Sequence, residues 1–188
     1  LQTQVKQVVQ TAAVLGQAFE VAVLGKMLQN SGLVMEKVKR AEAEMIWSAM
    51  SEMRYLFRHV LLRDAAYGMQ LRTRLRQLHE LAAQAIELLY AADLAPHYAD
   101  LAHHYAQAHN AAMECKYALL TGEQAFQKGD YRETLRYMQR AHQLAVQPET
   151  QPVLSPAMLA SSYLMLGRVY ERMGDFPLAI EALNTSMT

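Results

Sequence analysis

Arg54-Tyr-Leu-Phe-Arg-His-Val-Leu-Leu-Arg-Asp-Ala-Ala-Tyr67 changes its hydrophobic period part-way along. Tyr55, Leu56, Phe57 and Arg58 alternate as a short half-buried strand does, whereas Leu61, Leu62, Ala65 and Ala66 recur at the three- and four-residue spacing of a helix. His59 falls where the strand becomes the helix. The first turn of a helix carries unpaired N–H groups and a partial positive charge, which together can hold an anion such as phosphate. A histidine there is a candidate sensor of what is bound. The plainer reading, which spacing alone favours, is a partly buried histidine that caps its own helix.

Upstream of this strip, Val5, Val8, Val9, Ala12 and Ala13 form an apolar helical stripe ending near Gly16. Val21 to Leu28 make a second helix, closed by Asn30-Ser-Gly32, and a third runs from about Val34 to Met45. Ile46 to Ala49 and Tyr55 to Arg58 can then pair as a two-stranded hairpin across Met50 to Met53. Three helices followed by a small hairpin is the order of a winged-helix domain.

Downstream, the pattern is helical only. Leu71, Leu75, Leu78, Leu81, Ala82, Ala85, Leu88 and Leu89 predict one long helix with a broad apolar face, and Pro96 opens a further helix that ends near His109-Asn110. The last third repeats itself. Tyr163, Leu166, Gly167, Tyr170, Gly174, Phe176, Ala179 and Leu183 match the tetratricopeptide pattern, in which small residues let two antiparallel helices approach and aromatics fill the gap. An earlier, degenerate copy holds Gly122, Gly129, Tyr131, Leu135 and Ala141, with Thr121, Ala125 and Thr134 at positions usually Leu, Tyr and Ala. Gly129 and Gly174 lie 45 residues apart, more than the roughly 34 of a standard unit, and the Pro-rich connection from Gln147 to Pro156 accounts for the excess.

Phe57-Arg-His-Val-Leu-Leu-Arg-Asp-Ala-Ala-Tyr67 resembles the end of the winged-helix domain in signal-transduction ATPases of the STAND class, especially those behind bacterial adenylate/guanylate cyclase and kinase modules. Thr11-Ala-Ala-Val-Leu-Gly-Gln-Ala-Phe19 is similar to the first helix-turn of the same domain. In NB-ARC relatives the comparable strip reads Met-His-Asp before Leu-Leu-Arg-Asp, and its histidine contacts the phosphates of bound ADP. The resemblance therefore makes His59 the candidate nucleotide-phosphate sensor. Val60 stands where that better-known strip has an acid, so an ion pair or cap supplied by the acid is missing here.

Composition limits the alternatives. At 188 residues and 52% hydrophobic, the chain can bury one large core or two small ones. Its 18 Lys plus Arg balance 18 Asp plus Glu, so no global attraction to nucleic acid or anionic lipid is expected. No apolar run reaches the ~20 residues of a membrane span, and the first residues lack a secretory pattern, so a cytoplasmic protein with no membrane partner is expected. The lone Cys115 excludes an internal disulfide and a cysteine-rich zinc site. His97, His103, His104 and His109 lack the spacing that places two ligands on one helical face, so no metal site is expected. A Gly-rich phosphate loop and a Gly-x-Ser-x-Gly elbow are both missing, and no catalytic residue is assigned.

Arg58, Arg63, Arg72, Arg74 and Arg76 form one local basic cluster. They suit a solvated face, a dock onto an acidic partner domain, or phosphate contacts, and Arg63 with Asp64 suits a structural ion pair. DNA is not the expected partner, because the third helix mixes Glu36, Glu42 and Glu44 with its Lys and Arg while the cluster follows the hairpin.

The expectation is a mainly α chain: a winged-helix domain with a small β-hairpin over residues 1–68, connecting helices over 69–110, and tetratricopeptide-like repeats over 111–188. The chain begins with Leu1 and stops inside a helical pattern at Asn184 to Thr188, as an excised piece of something longer would. By resemblance, it is a non-catalytic regulatory segment that binds no cofactor itself and belongs to an ATPase using ATP and ADP. Its partners would be an upstream nucleotide-binding domain of the same chain and a protein or peptide in the repeat groove. The rivals are a DNA-binding winged-helix regulator and a plain repeat scaffold.

Overall fold

The computed structural model is mainly helical, with one small three-stranded antiparallel sheet, and describes residues 3–29, 31–145, 147, 150 and 155–186. Asn30, expected in the turn closing the second helix, most of the Pro-rich connection, Leu1 and the final Met187 and Thr188 lie outside those residues. The chain divides into two compact units, Leu1–Leu94 and Ala95–Thr188.

The first unit is built on α1 (Thr3–Leu15), β1 (Ala18–Glu20), α2 (Val21–Met27) and α3 (Ser31–Ala43), followed by β2 (Trp47–Ser51), β3 (Arg54–Phe57), α4 (Val60–Gly68) and α5 (Arg72–Leu89). Gly16 ends α1 at φ +116, a conformation that costs glycine little. The third helix starts at Ser31, not near Val34, so Ser31 and Gly32 open a helix where a closing turn was expected.

The expected hairpin forms, although Met50 and Ser51 extend β2 and leave only Glu52 and Met53 to connect it to β3, and the sheet has a third strand. β3 lies in the centre, with Phe19 of β1 opposite Tyr55 on one edge and Trp47 of β2 opposite Phe57 on the other. Phe19, Trp47, Tyr55 and Phe57 pack edge-on or stacked with centroids 4.9–6.4 Å apart, the range in which aromatic quadrupoles attract. Trp47 is fully buried, and its indole N–H donates to the Val38 carbonyl at 2.9 Å. These rings and the valines of α1 form the unit's core.

In the second unit a 3₁₀ turn at Ala95–His97 leads into α6 (Tyr98–Ala108), followed by α7 (Ala111–Gln127), α8 (Tyr131–Ala145), α9 (Pro156–Met173) and α10 (Phe176–Ser186). Residues 69–110, expected as a connection, are thus divided: α5 belongs to the first unit and α6 to the second. Gly129 and Gly174, at φ +77 and +80, make the tight turns after α7 and α9. Asn110 and Ser155 cap α7 and α9 by accepting from Met113 and Met158 N–H.

Small residues bring the helix pairs together. A Cβ on Gly167 would lie 2.6 Å from Leu183 of α10, and one on Gly122 would lie 2.8 Å from the tip of Met138 on α8. Leu166 and Ala179 are buried, Tyr131, Tyr163 and Tyr170 are half-buried, and Phe176 is 62% exposed instead of filling a gap.

Thr121 and Thr134 fit their buried sites because each hydroxyl donates to the carbonyl one turn earlier, at 2.7 and 2.8 Å. Cys115 is buried in the same core, as a small helical residue should be. Burial pushes its thiol up to about 11, so it remains an unreactive thiol at neutral pH.

His142 of α8 joins the two helix pairs. Its ring stacks on Tyr163 of α9 at 3.9 Å, and Nε2 lies 2.6 Å from Ser162 Oγ. Ser162 donates its own proton to the Leu159 carbonyl, so the bond requires His142 to donate from Nε2. Burial holds the His142 pKa below the usual histidine value. A lowered folded-state pKa gives stability that is present above the unfolded value of about 6.5 and is lost as pH falls through the folded one. Urea unfolding of wild type should show this loss between neutral and mildly acid pH, and His142→Gln should flatten it; an unchanged pH slope in the variant would reject the assignment.

Candidate functional site

His59 is the residue before α4, in extended backbone at φ −131 and ψ 128. Its carbonyl accepts from Leu62 and Arg63 N–H and starts the helix. The strand-to-helix junction is where the periodicity put it, but the side chain is neither partly buried nor a cap: it is exposed and makes no capping hydrogen bond. The imidazole is therefore turned toward solvent beside a helix amino end. In chemistry, such a group can donate to an anion brought to it from outside.

The apolar residues whose spacing marked α4 as a helix do not form a buried face. None of its residues is fully buried; Val60 is 58% and Leu61 81% exposed, and Leu62 and Ala65 are exposed as well. The reason is that polar side chains hold this helix against α1. Arg63 donates from Nε to the Ala13 carbonyl at 3.0 Å and pairs with Asp64 at 2.9 Å, while Gln70 donates to the Gln10 carbonyl at 3.0 Å. Tyr67 OH meets His79 Nε2 at 2.9 Å, and Ala66 and Tyr67 lean on the core. These inward hydrogen bonds set the rotation of the helix and leave its aliphatic residues outside.

The expected ion pair between Arg63 and Asp64 is present, and Arg63 is a structural clasp. Arg58, Arg72, Arg74 and Arg76 are exposed. The last three open α5, whose first turn carries no acid. Cations at a helix amino end oppose the helix dipole, so they do not serve the stability of α5.

Further along the first unit, Tyr90 donates a short hydrogen bond to Glu20, and burial followed by that carboxylate pushes the phenol up to about 12. This contact ties the far end of α5 to β1. It was not legible from spacing, since 70 residues separate the pair.

Two of the clefts among the described residues of the second unit flank α7. One of roughly 230 Å³ runs between α7 and α9 over Met138, with Met158, Met165 and Leu119 in its walls and Glu123 among its polar groups. The other, roughly 450 Å³, lies among α6, α7 and α8 and contains Glu114 and Arg140. Arg140 grips the buried Glu114 carboxylate with two hydrogen bonds of 2.6 and 3.1 Å. That bidentate pair is already satisfied, so neither group is a free ligand for an anion or cation.

Among the described residues no helix is long and apolar enough to cross a membrane. Comparison with protein-family models, with curated proteins and with solved structures found no match.

Proposed function

We propose that this chain is a regulatory segment of a STAND-type signalling ATPase, in which a winged-helix unit packs on an upstream nucleotide-binding domain and tetratricopeptide-like helix pairs engage a protein or peptide. The observation that carries the reading is the placement of His59, exposed at the amino end of α4 with its side chain unused by the cap. The order of three helices and a hairpin before it supports the winged-helix reading, with β1 as a third strand. The close packing at Gly167 and the turns at Gly129 and Gly174 support the repeat reading.

The mechanism is a switch in which His59 donates to the phosphates of ADP held upstream and keeps the unit closed on the ATPase core. Exchange for ATP, or a ligand in the cleft between α7 and α9, releases it and alters the output of an effector domain. Nucleotide moves that equilibrium only to the extent that it binds the closed and open states differently. The test is the ADP affinity of the proposed longer ATPase, which His59→Ala should lower about tenfold, or about 1.4 kcal/mol. The segment itself carries no catalytic residue and binds no cofactor alone in this reading.

A further inference from the structure

We infer that the strip made by α4 and the start of α5 docks on an acidic protein surface with an apolar centre. The centre of the strip is aliphatic: Val60 and Leu61 on α4, then Met69 and Leu71 in the connection to α5, are 58–81% exposed. Large apolar side chains this exposed, so close in the chain, are unusual on a surface with no partner.

The charge along this stretch is almost all of one sign. Residues 54–76 contain six arginines, no lysine and a single acid, Asp64, in a chain whose overall charge is zero. Asp64 is paired with Arg63, and Arg54 lies on β3 opposite Glu20, which leaves Arg58, Arg72, Arg74 and Arg76 exposed beside the aliphatic residues in the chain. Exposed aliphatic residues interspersed with arginine along one stretch of chain match the composition of a protein interface, and charge complementarity calls for acids on the other side.

Duplex DNA fits less well, because a phosphate-lined surface gives Val60, Leu61 and Leu71 nothing apolar to cover. A membrane also fits less well. An interfacial helix presents an apolar face free of acids, and here Asp64 shares the exposed side of a nine-residue helix with Leu61. The partner is thus a folded protein domain or helix of acidic and aliphatic character. The inference rests on reading the first unit as a docking module, but no nucleotide enters it.

The probe is a fluorescein-labelled amphipathic helical peptide with Leu on one face and Glu on the other, titrated with the full chain and read by anisotropy. A matched peptide with Lys for Glu, phosphatidylserine-containing vesicles and a DNA duplex are the comparisons. The acidic peptide should bind and the Lys peptide should not, and raising salt well beyond physiological strength should weaken binding severalfold. Two variants should each weaken it about fivefold or more, a loss of about 1 kcal/mol: Leu61→Ser, and Arg72→Gln with Arg74→Gln and Arg76→Gln. Both change only exposed side chains, so circular dichroism should be unaltered. Failure to bind the acidic peptide, equal binding of the Lys peptide, or tighter binding to vesicles or duplex would each overturn the inference. Because ADP is absent from this experiment, its failure is distinct from failure of the His59 switch.

Discussion

Trp47→Ala should cost the first unit about 3–5 kcal/mol, the range for removing a large aromatic from a closed core. Trp47 is 0% exposed and touches Phe19, Tyr55 and Phe57, so truncation opens a cavity that the surrounding β1, β2 and β3 cannot close without losing their pairing. The Val38 carbonyl on α3 also loses its buried donor, which adds to the penalty. For a unit of this size the melting midpoint should fall by roughly 12 °C or more. Calorimetry is the suitable measurement, because the substitution removes the chain's single tryptophan. Trp47→Phe should fall between, keeping ring contacts but losing the hydrogen bond. A shift of only a degree or two for Trp47→Ala would mean that the sheet is not packed on this ring.

The second large effect lies in the other unit. Gly167→Val should destabilise the α9–α10 pair by about 2–3 kcal/mol, toward the upper end of what overpacking costs. A new Cβ would sit 2.6 and 2.7 Å from Leu183 side-chain atoms and 3.3 Å from the Ala179 carbonyl, so both a branched side chain and backbone must give way. Gly122→Ala is the control. Its nearest neighbour is the terminal methyl of Met138, a flexible group that can swing aside, and alanine gains helix propensity worth up to about 1 kcal/mol. Urea unfolding should therefore rank Gly122→Ala close to wild type and Gly167→Val far below it. Equal effects at the two glycines would contradict the distinction between a soft and a hard neighbour.

Local chemistry made much of this fold legible. Alternation found the hairpin because Tyr55 and Phe57 do face one core, and glycine at φ > 0 marked the turns at Gly129 and Gly174. β1 escaped because three residues are too few to display a period, and only its partner β3, 36 residues on, defines it. The start of α3 escaped because Ser31-Gly32 carries the same residue types that end helices.

Facing was harder than element type. In α5 the predicted stripe is only partly inward: Leu78, Ala82 and Ala85 are buried, while Leu71 just before it and Leu88 and Leu89 at its end are exposed. His79 takes a buried place instead, because Tyr67 OH supplies a polar partner that hydrophobicity cannot anticipate. In α4 the same cause acts in reverse, with Arg63 and Gln70 bonded inward to carbonyls of α1 and the aliphatic residues left outside. Of the candidate site, the place of His59 at the strand-to-helix junction was readable from the change of period, whereas its exposure was not.

The most direct measurement is a calorimetric ADP titration of the proposed longer ATPase, wild type against His59→Ala. Both proteins should be folded and equally stable, since His59 is exposed and caps nothing, and the variant should lose about tenfold or more in ADP affinity. Equal ADP affinity in the two proteins would contradict the His59 switch.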